Sequence, residues 1–180
     1  FRSPEAATTA PDSRLQIRLL PERGYRKNVS LARLISHHDF VRALERELQT
    51  WQVGEYDVVY AAYPLMGSVL ALGKHKARLG YKLVVDVQDV WPESFSAVLP
   101  AIQKLPPQAL PFAARANRAY ACADALVAVS QTYLNRALQA NPAAQKQSEV
   151  VYIGADVAAI ERAQAVSFVG DKIRFFYLGT

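Results

Sequence analysis

The chain has 180 residues and a formal net charge of +5, with 51% hydrophobic and 21% charged residues. This composition is typical of a soluble globular domain with a real core and excludes intrinsic disorder. A single cysteine, Cys122, excludes a disulfide framework and a thiolate metal site, and no apolar run is long enough to span a bilayer or to form a signal peptide.

The predicted elements alternate between strands and helices along the chain. Residues 1–13 form a polar, disordered tail, and the alternating residues 15–20 predict a first strand. A helix capped by Ser30 follows and runs to about Leu48. Further strands are predicted at 57–62, 81–87, 125–129, 149–153 and 172–178, and further helices end near Leu79 or span 108–122 and 130–140.

This alternation predicts an α/β fold, a doubly wound parallel sheet with helices on both faces. The Rossmann-like domain occupies residues 14–154, a linker occupies 155–171, and 172–180 is the first strand of a second domain. No Gly-rich turn follows the first strand and no further helix or strand follows the last one, so we expect the fold to be truncated at both ends.

Two adjacent histidines fall within the first predicted helix. His38 lies on the apolar stripe and is predicted to be buried, whereas His37 is predicted to be an ordinary surface residue. Neighbouring helical side chains diverge by about 100°, so the pair is not expected to bind one metal ion.

The densest chemistry lies in the segment Asp86–Ser94, at the carboxyl end of a predicted strand, where ligands of such sheets bind. Asp89 and Glu93 are candidate catalytic residues, because carboxylates in a solvent-filled cleft can accept hydrogen bonds from sugar hydroxyls. Gln88 can orient a hydroxyl but cannot titrate, and the indole of Trp91 can stack on a sugar ring. In the alternative, Asp86 and Asp89 fasten the loop backbone and Trp91 packs in the core.

Two other segments also follow strands. Gly67 and Ser68, at a helix start, are candidate binding residues that suit a phosphate, although a tight turn explains them equally well. Ser130 is predicted to cap a helix, because no His–Asp pattern accompanies it to make it a nucleophile.

Five motifs in order resemble those of retaining GT-B glycosyltransferases of the family 4 type, which build bacterial capsule, O-antigen and exopolysaccharide. They lie at Asn28–Phe40, Asp86–Ser94, Ala123–Ser130, Val151–Asp156 and Phe175–Thr180. The resemblance departs at Gln88, where many relatives carry histidine, and at Ile153, where they carry asparagine.

The resemblance implies that this chain is the acceptor-side domain. Asp89 and Glu93 would then contact acceptor hydroxyls, and the acceptor-binding residues would be Gln88, Trp91, Gly67 and Ser68. The enzyme would transfer a hexose or aminohexose, with retention, from a nucleotide-sugar to a lipid-linked or growing saccharide acceptor. The nucleotide-sugar would be a co-substrate bound mainly by the second domain, so the chain alone would be inactive. No cofactor and no tightly bound metal are expected.

Basic residues cluster at 74–82 and 104–118. They predict peripheral binding to an anionic membrane, which for a cytoplasmic protein is the inner face of the cytoplasmic membrane. Nucleic acid is not an expected partner, since no reader motif is present. Two alternatives stay open: a non-catalytic domain that recruits acceptor or membrane for a separate donor-binding chain, and a nucleotide-sugar epimerase of the same shape.

Overall fold

Four parallel strands form one sheet in the computed structural model, which describes residues 16–27, 30–94, 103–154 and 157. Their order in the sheet is the order in the chain. The strands are β1 (Val58–Tyr63), β2 (Lys82–Val87), β3 (Ala125–Ala128) and β4 (Glu149–Val150). Each strand pairs in parallel with the next, and Tyr63 at the end of β1 stands opposite Val87 at the end of β2.

Helices connect the strands, as parallel pairing requires. They are α1 (Leu31–Thr50), α2 (Met66–Leu79), α3 (Ala113–Ala121) and α4 (Gln131–Ala140), with short 3₁₀ turns at Pro107–Ala109 and Pro142–Gln147. The predicted α/β class and the parallel sheet are therefore confirmed.

The core lies between the sheet and the helices α2 and α4. Alternate strand residues point to this side, so Leu83, Val85 and Leu126 are fully buried against helix side chains such as Val69. Val58 and Tyr60 point to the other side of β1 and are exposed. The helices that contact the sheet within the described residues thus pack on one of its faces.

Local sequence explains several helix ends. The side chains of Ser30 and Ser130 accept hydrogen bonds from the N–H groups of Arg33 (3.2 Å) and Tyr133 (3.3 Å), which confirms both predicted caps. Gly80 ends α2 with a φ of 88°, a backbone conformation that favours glycine.

Three predicted boundaries are wrong. In place of the strand at 15–20 there is a single bridge residue, Gln16, followed by irregular backbone in which Ile17 and Leu19 are exposed. Alternation alone does not make a strand when the apolar side chains have no layer to pack on. The helix predicted from residue 108 begins at Ala113, because Pro111 constrains the residue before it and Phe112 has a φ of 67°. The strand predicted at 149–153 ends at Val150.

The predicted burial of α1 is also partly wrong. Its buried residues are Ser36, Ala43 and Leu48, while the predicted core residues of its first two turns, Leu31, Leu34 and Ile35, are exposed. His38 is exposed and His37 is half-buried, the reverse of the prediction. The tail at 1–13 and the strand at 172–178 lie outside the described residues, as does the linker except for Val157.

Candidate functional site

The site lies where β1 and β2 end side by side. The N–H of Gln88, the first residue after β2, donates to the carbonyl of Tyr63 at the end of β1 (3.3 Å). The loop 88–94 therefore emerges next to Pro64 and the start of α2. This placement at the carboxyl edge of parallel strands agrees with the sequence prediction.

Asp89 is half-buried and accepts three hydrogen bonds within its own loop. Its Oδ1 accepts from the N–H of Val90 (2.8 Å) and from the hydroxyl of Ser94 (2.6 Å), and its Oδ2 accepts from Nε1 of Trp91 (2.8 Å). These are the contacts that the loop-fastening alternative requires. The catalytic role of Asp89 stays a prediction.

Gln88 is exposed and donates from Nε2 to Oδ2 of Asp86 (2.6 Å), which is itself buried. Tyr60, on the same face of the neighbouring strand, also interacts with Asp86; burial first, and then this carboxylate, raises the pKa of the phenol. Gln88 therefore belongs to a small polar group on the open side of the sheet.

Trp91 is held from three sides. Its carbonyl accepts a hydrogen bond from the hydroxyl of Tyr63 (2.6 Å), its Nε1 donates to Asp89, and the guanidinium of Arg33 lies 4.8 Å from the centre of its ring. Tyr63 is fully buried and stacks on Tyr120 at 4.6 Å, so it provides a rigid support. Arg33 comes from α1 and contacts the loop through a cation–π interaction.

A cavity of about 300 Å³ opens between α1, the start of α2 and this loop. Its walls are mainly apolar, with cationic or titratable groups at three positions. It is lined by Leu34, His37, His38, Val41, Pro64, Leu65, Met66, Gly67, Trp91, Phe112 and Arg115. An apolar cavity with a few converging polar groups is the usual form of a small-molecule site.

His37 is one of these titratable groups. Burial and the neighbouring charge of Arg33 lower the pKa of His37, which favours the neutral imidazole at pH 7. Nε of Arg33 lies 3.4 Å from Nε2 of His37, a distance that suits a neutral acceptor nitrogen.

Glu93 faces α4 and forms an ion pair with Arg136. Arg136 also donates to Oδ1 of Asn117 (2.8 Å) and lies over the ring of Tyr120. Glu93 is not among the residues that line the cavity. The structure thus brings Trp91 and Gly67 together at the cavity but places Glu93 on another side of the loop.

Gly67 and Ser68 differ in position although they are neighbours. Gly67 lines the cavity, and a Cβ atom there would lie 2.6 Å from Cγ2 of Val41, so the close approach of α1 and α2 requires a glycine. Ser68 is buried and is not a cavity residue. Their predicted role in acceptor binding is not tested by these positions.

Sequence reasoning missed several residues around the cavity. Site residues were predicted from their position directly after a strand. That position does not apply to four residues at or next to the cavity: Arg33, His37, Phe112 and Arg115. The motif at Asn28–Phe40 was the available signal, since it contains Arg33 and His37.

Within the described residues, no group of three or more His, Cys, Asp or Glu side chains is arranged to hold a metal ion. In the same part of the chain, every helix is too short or too polar to cross a membrane.

Residues 3–159 match the model of Glycosyltransferase Family 4. The chain belongs to this family. No curated protein matches the chain individually. Membership confirms the glycosyltransferase resemblance at family level and shows that the chain is a glycosyltransferase domain, whose reaction involves a sugar donor and an acceptor.

Proposed function

We propose that this family 4 domain forms the acceptor side of a retaining glycosyltransferase of bacterial surface polysaccharide synthesis. The acceptor is lipid-linked or a growing saccharide, and a hexose or aminohexose is transferred to it. The observation that carries this proposal is the cavity at the carboxyl ends of β1 and β2, in a domain of this family.

The walls of the cavity suit an amphipathic acceptor. Leu34, Val41 and Phe112 offer apolar contacts, and Arg115 supplies a positive charge for a phosphate group. The indole of Trp91 offers a face for a sugar ring. Because Asp89 holds the indole nitrogen and Tyr63 holds the backbone carbonyl of Trp91, the indole is already in place before the acceptor binds, which lowers the entropic cost of binding.

The donor is proposed to be a nucleotide-sugar held mainly by protein outside residues 1–180, without a cofactor or a tightly bound metal. Gln88, Gly67 and Ser68 stay candidates for acceptor contact. Asp89 and Glu93 stay candidates for the catalytic step, although the intramolecular bonds of both carboxylates make positioning a better-supported role.

Tryptophan fluorescence tests the proposal directly. The chain contains two tryptophans, Trp51 and Trp91, so Trp51→Phe leaves the cavity indole as the only reporter. Titration with farnesyl-diphosphate-linked N-acetylhexosamine should give a saturable change at micromolar concentration. UDP- and GDP-sugars should bind no more tightly than millimolar.

Matched titrations separate the contributions. Farnesyl diphosphate alone and the free sugar should each bind more weakly than the conjugate, because each occupies part of the site. Two results would contradict the proposal. One is micromolar binding of any nucleotide-sugar, and the other is no response to farnesyl diphosphate linked to either a hexose or an N-acetylhexosamine.

A second function is favoured by one observation. Asp89 accepts three hydrogen bonds from its own loop and Glu93 is paired with Arg136, so both carboxylates are engaged within the fold. A non-catalytic domain that recruits the acceptor for a separate donor-binding chain needs no catalytic base. Such a domain would bind the conjugate equally well, but fusion to a family donor domain would not produce transfer.

A further inference from the structure

Arg136 joins three elements around the loop 88–94. It comes from α4, forms an ion pair with Glu93 of the loop, and donates from Nη2 to Oδ1 of Asn117 on α3 (2.8 Å). Its guanidinium also lies 5.4 Å from the centre of the ring of Tyr120, another residue of α3. A planar guanidinium suits this combination, because its donors form a fixed fork and its face can stack on a ring. Arg136 therefore holds the loop against both helices.

The ion pair between Arg136 and Glu93 is largely shielded from water. The two side chains are only 18% and 21% exposed. Exposed ion pairs stabilise a fold very little, whereas removal of one partner from a shielded pair leaves the other charge without compensation. Loss of Arg136 should therefore drive Glu93 towards water and displace the loop that carries it.

One route from Arg136 to Trp91 runs through the hydrogen bonds of the loop. Ser94 follows Glu93 directly, and its hydroxyl donates to Oδ1 of Asp89 (2.6 Å). The other oxygen of Asp89, Oδ2, accepts from Nε1 of Trp91 (2.8 Å). A displacement of Glu93 would therefore reach the indole nitrogen through two consecutive hydrogen bonds.

A second route passes through the core. Tyr120, which lies under the guanidinium of Arg136, packs on Tyr63 with the ring centres 4.6 Å apart. The hydroxyl of Tyr63 donates to the carbonyl of Trp91 (2.6 Å). Burial first, and then the neighbouring Tyr120, raises the pKa of Tyr63, so this hydroxyl keeps the proton that it donates. The two routes thus meet at Trp91, one at its side chain and the other at its backbone.

We propose that Arg136 is a positioning residue for Trp91: it fixes the loop 88–94 from outside the cavity and so sets where the indole stands. Arg136 is not among the residues that line the cavity, so its effect on a bound acceptor passes through the loop. The inference rests on the proposed function, in which the indole meets the sugar ring of the acceptor. Fixation of a binding group before the ligand arrives lowers the entropic cost of binding. Arg136 therefore contributes to acceptor affinity through Trp91.

Acrylamide quenching of Trp91 fluorescence tests the inference without any ligand. In the Trp51→Phe chain, Arg136→Met removes the charge and the hydrogen bonds but keeps an unbranched apolar side chain. The quenching constant should rise about twofold or more, because the loss of fixed contacts lets the loop open locally. Arg136→Lys keeps the charge without the planar fork and should give an intermediate value. The affinity for farnesyl-diphosphate-linked N-acetylhexosamine should fall about twofold to tenfold in Arg136→Met.

Lys76→Met is the matched control, because it breaks another partly buried ion pair. Nζ of Lys76 donates to Oδ2 of Asp124 (3.0 Å), and the two side chains are 27% and 30% exposed. Asp124 directly precedes β3, whereas Trp91 lies at the carboxyl edge of the sheet. This variant should melt at a lower temperature than the wild type but should leave the quenching constant of the folded chain unchanged.

A merely structural ion pair would change stability alone. The inference is overturned by an unchanged quenching constant in Arg136→Met, by an equal rise in Lys76→Met, or by undiminished affinity of Arg136→Met for a conjugate that the wild type binds. If Arg136→Met does not fold, Glu93→Gln makes the same comparison, since it removes the ion pair from the other side. Raised quenching in a chain whose wild type binds no conjugate would contradict the proposed function and leave the positioning of Trp91 established.

Discussion

Replacement of Asp89 by asparagine distinguishes a loop-fastening carboxylate from a free one. Asparagine has nearly the same size but offers one acceptor oxygen in place of two. If that oxygen keeps the bonds from Val90 and Ser94, the new amide NH₂ faces Nε1 of Trp91, and two donors then oppose each other.

The expected cost follows from the lost bond. A partly buried donor left without its acceptor costs about 1–3 kcal/mol. For a domain of this size, each kcal/mol lowers the melting midpoint by about 2–4 °C. We therefore expect Asp89→Asn to melt about 2–12 °C below the wild type. An Asp89 carboxylate in an open cleft would instead leave the melting midpoint nearly unchanged.

Calorimetry or circular dichroism at pH 7 measures this difference. Asp57→Asn is the matched control, since Asp57 is exposed just before β1 and the chemical change is the same. An Asp89→Asn midpoint equal to those of the wild type and the control would refute the loop-fastening argument. A kinetic measurement tests the catalytic role separately. If Asp89 acts in catalysis, Asp89→Asn in an enzyme that joins this domain to a donor domain should lower kcat/KM by about tenfold to a thousandfold.

Two further predictions concern stability. Burial acts to raise the pKa of Asp124, but hydrogen bonds from Leu83 and Lys76 outweigh it and lower the pKa. The ionised carboxylate therefore stabilises the fold above the unfolded pKa of about 4, and this contribution is lost as pH falls through the lower folded pKa. Asp124→Asn should therefore cost about 1–3 kcal/mol at pH 7, and melting curves should show the difference from wild type shrinking as pH falls below about 4; a constant difference would contradict the linkage. Gly73→Ala places a Cβ 2.6 Å from Cβ and Sγ of Cys122, so it should lower the free energy of unfolding in urea by about 1–3 kcal/mol. The double variant that also has Cys122→Gly should recover stability. No recovery would show that this contact is not the cause.

The sequence predicted the parallel α/β fold because its signals are local. Apolar runs such as Leu83–Val87 indicate buried strands, and Ser30 and Ser130 mark helix starts. The prediction failed where burial depends on distant packing. Ile17 and Leu19 alternate like a strand but are exposed, and the apolar residues in the first turns of α1 are exposed although their spacing is that of a buried helix face.

The site was predicted only in part for a similar reason. Position after a strand selected the loop 88–94 and Gly67, which lie at the same edge of the sheet because parallel strands end there. That rule carries no information on which α1 residues meet this edge, so Arg33 and His37 were missed. Nor does spacing reveal that Glu93 turns towards Arg136, 43 positions later in the chain.

These contacts suggest a division of labour within the loop 88–94. Asp89 fixes the indole nitrogen of Trp91, Tyr63 fixes its carbonyl, and Arg33 covers one face of its ring. Asp89, which looks catalytic in the sequence, thus uses its hydrogen bonds to position an aromatic side chain. A site that must hold a sugar ring benefits from such prior fixation, because small displacements of a binding group weaken productive orientation. We therefore propose that Trp91 contacts the acceptor and that Asp89 acts through it.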